Sequence, residues 1–224
     1  MGFIKDLGNL LFPERDICFF CREERIDEGY ICTNCKELVE FLHMEVKLNS
    51  PYVEKAYYSV FYNRFIKERI HDYKYHGKSY LFKPFSHMLL CTIDYYNLKD
   101  EIDIISFVPM YKKKEVLRGY NQSKLMAEYV AKELDKPLLV NSLIKIKHTK
   151  DQNKLGKIER QSNLMNSFKI VNNHQFKGKK ILIIDDIITT GATIKECGKV
   201  LLENGAKKVY GLAITSSMKL GVIS

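Results

Sequence analysis

The chain has 224 residues, is 46% hydrophobic and carries a formal net charge of +9. That length suits one ordinary domain with a small appendage, and the apolar content is enough for a core. No apolar run approaches the length of a membrane span, no low-complexity segment occurs, and the only internal echo is a pair of cysteine knuckles, which excludes membrane-spanning and repeat architectures.

In chain order, the opening "MGFIKDLGNLLFPERD" has charges inside a short apolar pattern and reads as an amphipathic lead-in rather than a secretory signal. A cytoplasmic protein is expected. Next, "CFFCREERIDEGYICTNC" sets Cys18 and Cys21 two residues apart, then Cys32 and Cys35 with the same gap. Paired knuckles of this spacing let four thiolates converge tetrahedrally on Zn²⁺. Two disulfides are the competing reading, but they need an oxidising compartment, so zinc is favoured, in a closed and structural site. Cys91 and Cys197 stand singly among apolar residues and read as core.

After the knuckles, "CKELVEFLH" has helical periodicity, and "KAYYSVFYNRF" reads as aromatic-rich strands or a hairpin leading into a helix around Ile66 to Tyr73. Tyr57, Tyr58, Phe61 and Tyr62 would fill a hairpin core or stack on unpaired bases. A boundary near Asn49 to Pro51 divides a zinc-binding module, 1–50, from a larger domain, 51–224. There the expected order is a helix over Ser79 to Asn97, a strand over Asp103 to Val108, a helix over Asn121 to Leu134 and a strand near Leu138 to Ile146. A strand over Ile181 to Ile184, a helix from Thr193 and a last strand in "KKVYGLAIT" follow. Alternation of this kind predicts an α/β fold, a mostly parallel sheet with helices on both faces.

Chemistry concentrates in "ILIIDDIITTGAT", Ile181 to Thr193. Its aliphatic run suits a buried parallel strand, and Asp185 and Asp186 then fall at the strand's carboxyl end, where open α/β sheets place ligands. Thr189, Thr190, Gly191, Ala192 and Thr193 supply hydroxyls and backbone amides at a helix N-terminus, a cradle for phosphate. Carboxylates would meet ribose hydroxyls or hard Mg²⁺, so the combination points to a sugar phosphate. Alone, the acid pair would only cap a strand and open a turn.

Two basic segments complete the pattern. "MYKKKEVLRGYNQS" puts Lys112, Lys113, Lys114 and Arg118 on a loop at the same sheet edge, where the lysines serve an anion or form a solvated charge run. "KIKHTKDQNKLGKIERQSNLMNSF" has too few apolar residues for core and reads as a mobile loop able to close over a site.

"IIDDIITTGAT" resembles the phosphoribosyl pyrophosphate (PRPP) motif of type I phosphoribosyltransferases, and so implies their Rossmann-like fold. The resemblance implies that Asp185 and Asp186 face the ribose hydroxyls, that Thr189 to Thr193 wrap the 5′-phosphate, and that Arg118, Gly119 and Lys112 contact pyrophosphate. With Lys145, Lys147, Thr149, Gln152, Leu155, Arg160 and Asn163, with "LRGYNQS", "YKYHG" and the knuckles, the chain resembles the ComF (ComFC) family of competence-associated phosphoribosyltransferase-like proteins. That family often has arginines where this chain has Lys145 and Lys147; lysine keeps the charge but loses the bidentate fork. The resemblance implies a role in natural transformation and the handling of single-stranded DNA. Two functions follow as expectations: a Mg²⁺-dependent transferase acting on PRPP, or a non-catalytic PRPP sensor that binds single-stranded DNA or competence and recombination proteins. No cysteine follows Met1 as a glutaminase nucleophile, so a glutamine-dependent amidotransferase is not expected.

Overall fold

The computed structural model describes residues 17–147 and 164–218. The chain divides into two compact units, Met1–Val39 and Glu40–Ser224. In the smaller, the cysteine turns surround one short helix, α1 (Thr33–Glu37). Its buried apolar residues among those described are Phe20, Val39 and the cysteines Cys18, Cys32 and Cys35, too few for an independent hydrophobic core.

The larger unit holds a five-stranded sheet ordered β1-β2-β7-β6-β3. Its members are β1 (Phe41–Val46), β2 (Lys55–Val60), β3 (Ile104–Phe107), β6 (Lys180–Ile188) and β7 (Lys208–Ser216). All neighbours are parallel except the edge pair β1 and β2. Helices α2 (Arg64–Tyr75), α3 (Phe82–Tyr95), α4 (Lys112–Arg118), α5 (Gln122–Leu134) and α6 (Ala192–Glu203) lie between the strands in sequence. A separate antiparallel pair joins β4 (Leu143–Lys145) to β5 (Phe168–Ile170).

Strand β6 shows why the sheet is covered on both faces. Ile181 and Ile183 pack with Cys197 and Leu201 of α6 and with Val209 of β7. Successive side chains of a strand alternate, so Leu182 and Ile184, also fully buried, point the other way, toward the layer in which α3 and α5 pack on the strands and on each other. Each such buried side chain contributes about 1.5–3 kcal/mol.

The sheet, the helix over Asn121 to Leu134 and the β6-turn-α6 unit agree with the sequence reading, and four segments differ from it. "CKELVEFLH" is not one helix: α1 stops at Glu37 and Phe41 begins an edge strand, because the half-exposed Leu38 gives the pattern no second buried turn. Residues 41–46 therefore pair with β2 in the larger unit. The stretch Leu138 to Ile146 is not a sheet strand; it touches β3 at one bridge, Ile105 to Leu138, and then turns away as β4. The lysine run is a short helix, α4, instead of a loop, and none of its residues is buried. Strand β6 continues past the acids to Ile188. Of the aromatics, Tyr57 and Tyr58 are core, whereas Phe61 is exposed. Cys197 is fully buried, but Cys91 is only half-buried. Among the described residues no helix is long and apolar enough to cross a membrane.

Candidate functional site

The four cysteines do converge. Their sulfurs lie within 4.8 Å of one another, and Cys21 Sγ and Cys32 Sγ are 3.9 Å apart. A tetrahedron with Zn–S bonds of about 2.3 Å has S–S edges of about 3.8 Å, so the set can hold a metal ion of zinc's size and preference. None of the cysteines forms a disulfide. Backbone bonds set the turns: Cys18 N donates to Glu24 O, Arg22 N to Cys18 O and Lys36 N to Cys32 O. Burial opposes ionisation of Cys18, yet hydrogen bonds from the backbone of Cys32, Cys21 and Phe20 bring its thiol down to about 7. Cys32 and Cys35 are pushed up, first by burial and then by their sulfur neighbours. Clustered thiols cannot all ionise without a cation among them.

In the larger unit, β6 carries Asp185 and Asp186 between β7 and the N-terminus of α6, with Asp185 in register with Ala213 of β7. The two acids are held differently. Asp185 Oδ1 accepts from Ser123 Oγ at 3.1 Å and from the Asp186 backbone N–H at 2.9 Å. Asp186 Oδ1 accepts from Lys74 Nζ at 2.6 Å, with only 19% of the lysine and 12% of the aspartate side chain exposed. Burial, reinforced by the charge of Asp186, pushes the Asp185 carboxyl up to about 7 against the pull of Lys74, the Asp186 amide and Ser123. Burial would lower the Lys74 ammonium, but the charge and hydrogen bond of Asp186 outweigh it and hold the group raised.

After Ile188 the chain bends through Thr189 and Thr190, and Gly191, at φ +71°, precedes the first turn of α6. A Cβ built on Gly191 would come within 2.5 Å of Leu48 Cδ2, so the backbone conformation favours glycine and any side chain there would displace Leu48. Thr190 Oγ1 accepts from Ala192 N at 3.4 Å, and Thr193 stands in the first turn. The acids, the threonine turn and the start of a twelve-residue helix are thus one continuous piece of backbone.

The start of α5 is built into the same place. Asn121, Gln122 and Ser123 are consecutive buried polar residues. Asn121 caps the helix by accepting from Lys124 N and donates to Val108 O at 3.1 Å, which fixes α5 to the end of β3. Gln122 O accepts from the Tyr73 hydroxyl at 2.9 Å, and Gln122 Nε2 is buried with no hydrogen-bond partner among the described residues.

Lys74 and Ser123 sit inside the quoted segments "YKYHG" and "LRGYNQS", yet sequence reasoning gave neither a role. The basic residues expected around pyrophosphate are less convergent. Lys112 and Arg118 open and close α4, Gly119 follows at φ +86°, and the Arg118 guanidinium lies 5.1 Å over the Tyr75 ring. Lys145 lies over the Phe168 ring, and Lys147 Nζ donates to Met165 O at 3.1 Å, so both belong to the β4–β5 region. Thr149, Gln152, Leu155, Arg160 and Asn163 lie outside the described residues.

Residues 121–216 match the family model described as "Phosphoribosyl transferase domain". The chain is 26% identical over 215 residues to competence protein F of Haemophilus influenzae, covering 92% of this chain and 93% of that one. It is 29% identical over 206 residues to competence protein ComFC of Bacillus subtilis, covering 88% and 82%. It is also 29% identical to the DNA utilization protein YhgH of Escherichia coli, over 62% of each chain. A purine phosphoribosyltransferase structure from Pyrococcus horikoshii aligns at 15% identity and TM-score 0.39, over 64% of this chain and 78% of its own. Over most of its length the chain is thus similar to ComF-type competence proteins, and residues 121–216 match a phosphoribosyl transferase domain.

Proposed function

We propose that the larger unit binds PRPP at the acid pair and the threonine turn, and transfers its phosphoribosyl group with Mg²⁺. The observation that carries this reading is the continuity of Asp185, Asp186, the Gly191 turn and the α6 N-terminus on one strand-turn-helix inside the matched domain. In this reading the Thr189 to Thr193 amides and hydroxyls hold the 5′-phosphate, helped by the helix dipole. The carboxylates accept from the ribose hydroxyls and orient the sugar. Their hard oxygens also suit Mg²⁺, which when bound neutralises the pyrophosphate leaving group. Lys112 and Arg118 add positive charge for pyrophosphate. Catalysis is mainly positioning and electrostatic support of the charge that develops at the anomeric carbon. The cysteine cluster holds structural Zn²⁺, and its free thiols suit a reducing compartment such as the cytoplasm.

A second reading is a non-catalytic PRPP sensor that acts with single-stranded DNA or a competence or recombination partner. It is favoured by the relatives' names, which refer to competence and DNA utilization, and by the +9 charge.

The test is calorimetric titration of zinc-loaded protein with PRPP and Mg²⁺, beside an Asp185→Ala, Asp186→Ala variant, with pyrophosphate release measured across candidate acceptor bases. Binding by the native chain that the variant lacks is expected. Release with one base makes the protein a transferase, binding without release makes it a sensor, and no PRPP binding overturns both readings.

A further inference from the structure

The acid pair brings its own cation. Lys74 reaches Asp186 from α2, 112 residues away in sequence and outside the matched domain span. Its placement is over-determined. On the preceding residue, the Tyr73 hydroxyl donates to Gln122 O and the Tyr73 carbonyl accepts from the Tyr120 hydroxyl, which ties the last turn of α2 to the start of α5. On the following side, Asp72 Oδ2 accepts from Lys78 Nζ at 2.9 Å and Asp72 Oδ1 pairs with His76 Nδ1 at 2.9 Å, closing the helix end onto itself. Arg69 adds a guanidinium beside Asp72 at 3.5 Å, so Asp72 has partners enough of its own and does not compete for Lys74. Each acid of the pair is therefore held from a separate element: Asp185 by Ser123 on α5, Asp186 by Lys74 on α2.

We propose that Lys74 is a positioning residue of the PRPP site, whose ammonium holds Asp186 and supplies part of the positive charge that Mg²⁺ otherwise must, so that PRPP binding depends only weakly on the metal. The inference rests on the PRPP reading above. Two adjacent carboxylates facing a polyanion repel it, and a cation between them and the ligand is needed before the ribose can settle. A divalent ion is one way to supply it. A lysine 2.6 Å from one oxygen, with most of its side chain shielded from solvent, is another that is present before any ligand arrives. It removes one negative charge from the pair and keeps the Asp186 carboxylate in one orientation.

The experiment is PRPP titration of the full zinc-loaded chain in Mg²⁺ and in chelator-free buffer, with buffer and PRPP freed of Mg²⁺ beforehand over a chelating resin, while a zinc assay confirms the cysteine site is still filled. The same measurements are made on Lys74→Met and Lys74→Arg, with thermal melts to confirm folding. For the native chain, removing Mg²⁺ should weaken PRPP binding by less than about tenfold. For Lys74→Met, binding without Mg²⁺ should fall by about tenfold or more further, and Mg²⁺ should restore it to within about threefold of native. Lys74→Arg, which keeps the charge, should recover most of the metal-free affinity. A merely structural role for Lys74 would weaken binding equally in both buffers. Such a result, loss of native binding without Mg²⁺, or Lys74→Met that does not fold while Lys74→Arg binds no better without Mg²⁺ than a metal-dependent site would, overturns the proposal. Failure of the native chain to bind PRPP in either buffer overturns the PRPP reading itself.

Discussion

The cysteine cluster and the acid pair are both groups of like ionisable side chains gathered by the fold, and they meet the repulsion that ionisation brings differently. Four sulfurs lie within 4.8 Å of one another, and the hydrogen bonds that favour a thiolate come from backbone groups and neighbouring thiols, with no side-chain cation among the causes that shift them. The acid pair has a serine, a backbone amide and a lysine already in place. The first cluster can ionise fully only with a cation from outside the chain. The second is partly neutralised by the chain itself, so its geometry can precede its ligand.

The comparison is most severely tested at the cysteines. Replacing Cys18 and Cys35 with serine, or stripping the metal with a strong chelator, should abolish zinc binding and remove amide protection across residues 17–39, because metal binding in sites of this kind supplies on the order of 10 kcal/mol of folding free energy. Protection in β6 and β7 should persist. Retained zinc, or collapse of the large sheet together with the small unit, would contradict the division. A smaller effect is expected at the acid pair's turn, which depends on backbone shape and needs no cation. Gly191→Ala meets both the left-handed φ and the Leu48 side chain, and should cost about 1–3 kcal/mol in a denaturant titration. Measured in a Leu48→Ala background, the cost of Gly191→Ala should lose the part due to the clash and keep the part due to φ; no cost in that background would mean the backbone carries no penalty.

The remaining prediction is a pH signature. The Asp185 carboxyl stands at about 7 in the fold, above its ordinary value of 3.8. A raised pKa contributes stability that is complete below about pH 4 and is lost as pH rises through 7. Asp185→Asn keeps an oxygen for Ser123 and the Asp186 amide but cannot ionise. Its melting temperature should exceed that of the native chain at pH 8 and approach it at pH 4.5, with about 2–4 °C for each kcal/mol gained. Equal differences at the two pH values would show that Asp185 ionises as freely in the fold as in the unfolded chain.

What the sequence disclosed follows the same line of division. The cysteine knuckles and the Ile181 to Thr193 segment are each contiguous, so spacing and residue type alone present their chemistry. Lys74 and Ser123 reach the acids from 112 and 62 residues away, and no local pattern marks a lysine on an amphipathic helix or a serine at a helix start as a partner of one distant carboxylate. The lysine run was legible as charge but not as α4, because a helix that buries no residue leaves no periodic apolar stripe. The stretch before His43 misled for the opposite reason: Val39 and Leu42 mimic one helical face across the boundary between two units.

The strand order has a consequence for the order of assembly. Strands β6 and β7 form a local βαβ unit, but β2 has no parallel neighbour until β7 arrives, with Thr215 Oγ1 donating to a carbonyl 155 residues earlier. During synthesis the segment through α3 must wait, its inner edge open, while more than half the chain emerges from the ribosome. The last strand to be made therefore closes the sheet between the lysine-bearing half and the acid-bearing strand, and a chain cut short before Lys208 would hold both halves of the ion pair with no sheet to join them.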